Sequence, residues 1–395
     1  HPIPLCVPHM AGNEWRYLKE CLDSNWVSSV GPFVTRFENE LAARVGVSCG
    51  VATVNGTAAL HIALLVMGVG PGDMVLVPAL TFIAPANSVR YTGALAAFVD
   101  VDPQTAQMDP GSLRRFLENE CRRSPEGTFH VSTGARVKAA IPVHALGHPA
   151  HMDLIREVTN EFDLRIVEDA TESLGASYKD QPVGSFGDIA CFSFNGNKLL
   201  TTGGGGMLVT NDRVMAEKAR YLTSQAKDDP VEYVHESIGY NYRLTGIQAA
   251  MGCAQLEQLD HFIARKRAIA RRYDAAIGNI PGIRPIGEAS WARSACWMYT
   301  VEINADELGI GSRELLAALD SVGIQTRPLW RPIPDNKPYW DAPGHSCPAA
   351  RRLYENCLSL PCSVGLTDQD QDRVIKAICS AAVYSTAGRA RGGSA

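Results

Sequence analysis

The sequence predicts an α/β protein: a large unit built on a buried, mostly parallel sheet, followed by a smaller α+β unit. Three observations predict it. Apolar runs rich in β-branched residues alternate with helical patterns through the first two-thirds of the 395 residues, as chained βαβ units require. Several of those runs end on a residue suited to chemistry, at the strand ends where open α/β sheets hold ligands. A long amphipathic stretch then leads into a segment with its own strand and helix.

The strands expected in order are MVLVPAL (74–80), AAFVDVD (96–102), AAIPVHA (139–145), RIVEDA (165–170) and DIACFSF (188–194). TAALHIALLVMG and HMDLIREVTNEF have helical spacing between them, with apolar residues recurring every three or four positions. The charged stretch ENECRRSPEGTFHVSTGARVK (118–138) reads as an inserted hairpin before the third strand. IQAAMGCAQLEQLDHFIARKRAIARRYDAAIG (247–278) reads as one long helix bridging into the second unit. There CWMYTVEI is expected as a strand, and SRELLAALDSVG as a helix with Ser312 at its N-cap. The expected division is 1–260 for the large unit, 261–384 for the small one, and a small, polar, disordered tail over 385–395.

Composition excludes some functions. Apolar residues make up 46 % and the formal net charge is -5, so no basic footprint for nucleic acid is present. No apolar run approaches the roughly 20 residues that span a bilayer, and the opening HPIPLCVPHM does not read as a signal peptide. Eleven scattered cysteines without a CxxC pair suit a reducing compartment and argue against a zinc site. A cytoplasmic protein without a metal is the expectation.

The candidates for chemistry lie at strand ends. Asp169 closes RIVED and serves either as a cap for the next helix or as an anionic partner for a cationic heteroaromatic nitrogen. Lys198 follows the next strand, in SFNGNKLLTTGGGGM, flanked by apolar strands and uncharged polar residues. Desolvation in such a place makes an amine a nucleophile. Lys179, in the polar turn YKDQP, is its surface counterpart. A lysine and an acid at successive strand ends are the pair that pyridoxal phosphate (PLP) needs, one to form an imine and one to keep the pyridine nitrogen protonated. In VNGTAALHIALL a turn at Gly56 precedes a helix opening at Thr57, a site for phosphate as much as an ordinary capped helix. Gly203 to Gly206 lack the GxGxxG spacing and a following helix, so they read as a tight turn or a close backbone approach. That missing fingerprint also disfavours a nicotinamide-binding oxidoreductase. Phe82 is placed to stack on a ring or to join the core. His144, His148 and His151 have metal-like spacing but no carboxylate or cysteine to complete a set, and read as structural histidines.

The blocks VNGTAALHIAL, VPALTFIAPANSVRYTGALAAFVDVD, IPVHALGHPAHMD, IVEDATESLGASYKDQPVGSFGDIACFSFNGNKLLTTGGGGMLVTND, GYNYRLTGIQAAMGCAQLEQLD and CLSLPCSVGLTDQDQDRVI resemble, in order, those of the DegT-type sugar aminotransferases. The resemblance implies the aspartate aminotransferase-like fold (fold type I) and PLP as cofactor. It implies that Lys198 binds the cofactor covalently and that Asp169 faces the pyridine nitrogen. Ser193 and the turn at Gly56, Thr57 and Ala58 would hold the phosphate, and Phe82 would stack on the ring. Glu172 stands where the family often has glutamine near the ring hydroxyl. Asn241, in YNYR, would reach the phosphate of a second subunit, so the implied assembly is a homodimer with shared active sites.

The wording NGNKLLTTGGGGM and the inserted hairpin resemble most the members that move an amine from glutamate to C4 of a UDP-linked 4-keto-6-deoxy-N-acetylhexosamine. Amination at C3, a dTDP- or GDP-linked sugar, a non-nucleotide sugar acid, and a non-catalytic sensor on the same fold are the alternatives. The related sugar dehydratases carry a histidine in place of the lysine, which Lys198 opposes. Arg243, Arg327 and Trp330 suit either contact with a diphosphate sugar or structural duty.

Overall fold

The computed structural model describes the backbone of residues 1–229 and 231–392, and side chains as far as residue 382. Strands β1 Cys49–Thr53, β2 Asp73–Pro78, β3 Leu95–Val99, β4 Cys121–Ser124, β5 Gly127–His130, β6 Arg136–Ala140 and β7 Arg165–Asp169 come first. A short ribbon, β8 Ser177–Tyr178 and β9 Gln181–Pro182, precedes β10 Ile189–Ser193 and β11 Gly206–Thr210. All but the ribbon form a nine-stranded sheet with the path β1-β11-β10-β7-β6-β2-β3, and the hairpin β4–β5 joins it at β6.

Neighbours from β10 to β3 along this path are parallel, whereas β11 runs antiparallel to both β1 and β10. The carboxyl ends of β1, β2, β3, β6, β7 and β10 therefore share one edge. Both faces of the sheet are covered. Val75 and Val77 enter one apolar cluster and Met74 and Leu76 another, as the two-residue period of a strand dictates.

The third strand ends at Ala140, short of the expected 145. Pro142 has no N–H to extend the ladder, but pairing resumes beyond it with Val143 opposite Asp169: the Pro142 carbonyl accepts from Asp169 N–H at 2.9 Å and His144 N–H donates to the Asp169 carbonyl at 3.0 Å. The expected long helix is two, Gly246–Leu256 and Leu259–Ile277. Apolar spacing runs on through the join, but Gln258 leaves helical geometry at φ -103° and ψ 1°. The Glu257 carboxylate there is held by Tyr17, Asn13 and Arg36, contacts the local pattern does not encode.

The remaining strands are β12 Ile283–Pro285, β13 Ala292–Arg293, β14 Tyr299–Ile303, β15 Arg327–Pro328 and β16 Cys357–Leu360. Four of them form an antiparallel sheet ordered β12-β14-β16-β15, and β13 pairs with β8. The Leu259–Ile277 helix belongs to both cores. Leu259, Phe262 and Ile263 pack with the large sheet, while Ile269, Tyr273 and Ile277 pack with the small one. The helix expected to start on Ser312 has Gly311 as its N-cap instead, with Glu314 accepting from Gly311 N–H at 2.7 Å. Ser312 Oγ donates to the Glu355 carbonyl. The last helix is assigned Asp368–Gly392. Of the expected tail, 385–395, no side chain is among those described, and 393–395 lie outside the described residues altogether.

Candidate active site

At the shared edge the strand ends open into a cavity of about 380 Å³. After β1, Asn55 caps the Gly56–Val66 helix, its Oδ1 accepting from Ala58 N–H at 2.7 Å. The first-turn N–H groups of Gly56 and Thr57 have no intrahelical acceptor, so the turn presents donors and the positive end of the helix dipole. A Cβ on Gly56 would come within 2.8 Å of Ser193 Cβ and 3.2 Å of Thr171 Cγ2. Glycine is what lets this turn close against the end of β10. Gly206 does the same from the other side, because a Cβ there would lie 2.5 Å from the Asn55 carbonyl carbon. The glycine run thus supplies the expected close backbone approach.

Asp169, at the end of β7, is buried and lines the cavity. Burial pushes its carboxyl group up from its ordinary value, opposed by hydrogen bonds from Thr171, whose N–H lies 3.0 Å from Oδ1, and by the charge of Lys198. Glu172, also buried and raised by desolvation, accepts from Leu146 N–H at 2.9 Å through Oε2. Its Oε1 faces Lys198 Nζ at 3.5 Å. One buried carboxylate thus meets the amine directly, and a second, Asp169, feels its charge across the same cavity. The Trp297 ring centroid also lies 4.3 Å from Nζ, and the Trp297 indole donates to the Asn197 carbonyl at 2.7 Å.

Of the residues expected from the sequence, Gly56, Thr57, Phe82, Asp169, Glu172, Ser193, Lys198 and Trp330 all line this one cavity. Ala58 spends its N–H on Asn55 and lines a second cavity with Thr57, His61, Tyr91 and Tyr242. Buried His61 has no hydrogen-bond partner on either ring nitrogen among the described residues, and burial lowers its pKa. It packs edge-on against Tyr240 and Tyr242, while Asn241 between them is exposed and lies outside the cavity of its own chain. Arg243 is bonded at 2.9 Å to Glu38, which Arg220 and Ala52 N–H also hold. Arg327 is exposed, donates to the Thr326 carbonyl and does not reach the cavity.

Other strand-end residues serve the fold. Asp100 accepts from Ala349 and Ala350 N–H and caps a helix. His144 lies 2.9 Å from Glu168 and accepts from Ala150 N–H. His148 is likewise satisfied, by the Pro149 carbonyl and Ala289 N–H. No cluster of three or more metal-ligating side chains occurs among the described residues. Lys179 pairs with Asp153 at the surface. Sequence reasoning missed Trp297, Thr81 and Thr171 in the cavity wall. Trp297 belongs to a segment read only as a strand, and no local signal marks it.

These residues fit PLP. The Gly56–Thr57 turn with the Ser193 hydroxyl suits a phosphate, and Phe82, half-exposed at the mouth, offers an aromatic face. Asp169, desolvated and with no cation among the described residues in hydrogen-bond range, suits a protonated ring nitrogen.

The model of the DegT/DnrJ/EryC1/StrS aminotransferase family matches residues 8–379. The chain belongs to that family. It is 40 % identical over 381 residues to the GDP-perosamine synthase of Caulobacter vibrioides, covering 95 % of this chain and 97 % of the relative. It is 39 % identical over 384 residues to the putative pyridoxal phosphate-dependent aminotransferase EpsN of Bacillus subtilis, covering 95 % of each. The crystal structure of S. venezuelae DesV in complex with a ketimine intermediate superposes with a TM-score of 0.84, at 32 % identity and 94 % coverage of both chains. This chain is a PLP-dependent aminotransferase with the fold of those enzymes. None of its described helices is long and apolar enough to cross a membrane.

Proposed function

We propose that this aminotransferase moves an amino group from glutamate to C4 of a nucleotide-linked 4-keto-6-deoxy sugar. The observation that carries the reading is the Lys198 amine, in contact with the buried Glu172 carboxylate and the Trp297 ring and sharing its cavity with buried Asp169 and a phosphate-suited helix N-terminus. The wording of the sequence favours a UDP-linked N-acetylhexosamine. The name of the Caulobacter relative favours a GDP-linked sugar, and at 40 % identity over almost the whole chain it weighs more. The GDP sugar is therefore the first acceptor to test, with UDP sugars beside it.

PLP, when bound, supplies an electron sink for a carbanion at the donor carbon. The chain supplies the rest. Lys198 would anchor the cofactor, and as a free amine it would take a proton from the donor α-carbon and later deliver one to the sugar carbon. Glu172 keeps that amine in reach, and Asp169 holds the ring nitrogen in its charged form. Trp330, which lines the cavity, we assign to sugar contact. Asn241 we assign to the cavity of a second copy. Exposed Trp26, Val30, Tyr233 and Ile238 leave large apolar groups for such a homodimer to cover. The eleven free cysteines suit a cytoplasmic enzyme, and the division into a large and a small domain near residue 260 remains our reading of the chain.

The experiment is amine transfer from glutamate to a panel of GDP-, UDP- and dTDP-linked ketosugars, with product analysis for the position of the amine. Lys198→Ala should abolish turnover and the label that borohydride fixes at this site, while the protein stays folded. Turnover near that of the parent in Lys198→Ala would overturn the assignment.

A further inference from the structure

We propose that Trp297 is a positioning residue that holds the Lys198 amine in its reactive place, with the buried Lys266 fixing Trp297 in turn. The inference deepens the reading of Lys198 given above and rests on it.

Trp297 lies two residues ahead of β14, on the small-sheet side, and only 4 % of it is exposed. It touches the Lys198 turn twice. Its indole N–H donates to the Asn197 carbonyl at 2.7 Å, in a turn closed by Lys198 N–H donating to the Asn195 carbonyl at 3.0 Å. Its ring face lies under Lys198 Nζ, 4.3 Å from the centroid. With Glu172 at 3.5 Å as a further neighbour, the amine contacts both a carboxylate and a π face. A flexible four-carbon side chain needs such walls to be held near one position.

The second layer is unusual. Lys266 is 2 % exposed, and its ammonium donates to the Trp297 and Cys362 carbonyls, each at 2.6 Å. Burying an ammonium costs much unless its protons are bonded. Here that cation is tied to the backbone of the residue that contacts the reactive lysine. The Cys6 thiol adds a further donor to the Asn197 carbonyl at 3.3 Å. The path from Lys266 through Trp297 to Lys198 thus links the small sheet to the amine at the end of β10.

The test separates ring from N–H. Trp297→Phe keeps an aromatic face and loses the indole donor, whereas Trp297→Leu loses both. In cofactor-free protein, trace acetylation by acetic anhydride is read by mass spectrometry at Lys198, with Lys179 as internal reference. We expect Lys198 in Trp297→Leu to label at least about threefold faster than in the parent, and Trp297→Phe to stay within about twofold. In the holoenzyme, Trp297→Leu should lower kcat at least about tenfold while PLP affinity changes less than about threefold, and Phe should restore most of kcat. Equal labelling of Lys198 in the parent and Trp297→Leu overturns the proposal, as does a Phe variant as impaired as the Leu variant. Should Trp297→Leu fail to fold, Trp297→Met is read against the same criteria. If borohydride still fixes cofactor on the Lys198→Ala protein, the underlying reading fails instead, and that result does not depend on the Trp297 variants.

Discussion

Gly206→Ala is expected to damage the active site from behind. A Cβ there would lie 2.5 Å from the Asn55 carbonyl carbon, 2.6 Å from its oxygen and 2.6 Å from Gly56 N. All three are backbone atoms, so no side-chain rotation relieves the clash. Ordinary contact begins near 3.4 Å, and the two segments must part by roughly 0.9 Å, a shift of the kind that overpacking forces. β11 cannot yield alone, because Gly206 is paired to Thr53 on one side and Ser193 on the other. Overpacking costs typically about 1–3 kcal/mol, and a clash confined to backbone belongs at the upper end, about 3 kcal/mol.

The displaced atoms carry the donors we assign to the PLP phosphate, so its affinity should fall at least about tenfold, or about 1.4 kcal/mol. Gly204 is the control. Its Cβ would meet only Gln248 Nε2 at 3.5 Å, and Gly204→Ala should stay within about 0.5 kcal/mol of the parent. Urea denaturation of the cofactor-free proteins and titration with PLP give both numbers. A Gly206→Ala protein with the parent's midpoint and affinity would refute the reasoning, as would equal damage from Gly204→Ala.

Arg243→Ala should lower stability by about 2–4 kcal/mol, since it strips a partner from the nearly buried Glu38 carboxylate. A rise in sugar KM with stability unchanged would return Arg243 to the substrate-binding group. His148 contributes an acid-sensitive component: burial holds its pKa down at about 4 against an ordinary 6.5, so the unfolded chain takes up the proton first. The stability this neutral histidine supports is complete above pH 6.5 and declines as pH falls toward 4, by about 2 kcal/mol at pH 5. Denaturation at pH 5 and 7 should show a smaller difference in His148→Gln than in the parent. An unchanged slope would mean the histidine is not held neutral. Asp169→Asn should retain the fold yet lose at least about a hundredfold in kcat, because a neutral amide does not sustain a charged ring nitrogen. Steady-state rates with saturating glutamate decide it.

What repeats along the chain, or carries its own local chemistry, was legible in the amino-acid order. Alternating apolar runs specify βαβ units because a strand buried on both faces can be little else. The strand ends then named Asp169 and Lys198, and the blocks around them carried the family likeness, the cofactor and most residues of the cavity. Local pattern failed where distant groups compete for the backbone. The long helix breaks at Gln258 beside Glu257, whose carboxylate is bound by three side chains from elsewhere in the chain. Tertiary structure alone decided that Arg243 serves Glu38, that Asp100 and His144 serve the fold, and that Trp297, 99 positions beyond Lys198, lies against its amine. Hydrogen bonds and ring contacts act over a few ångströms of space and have no period in sequence, so only the folded chain brings them together.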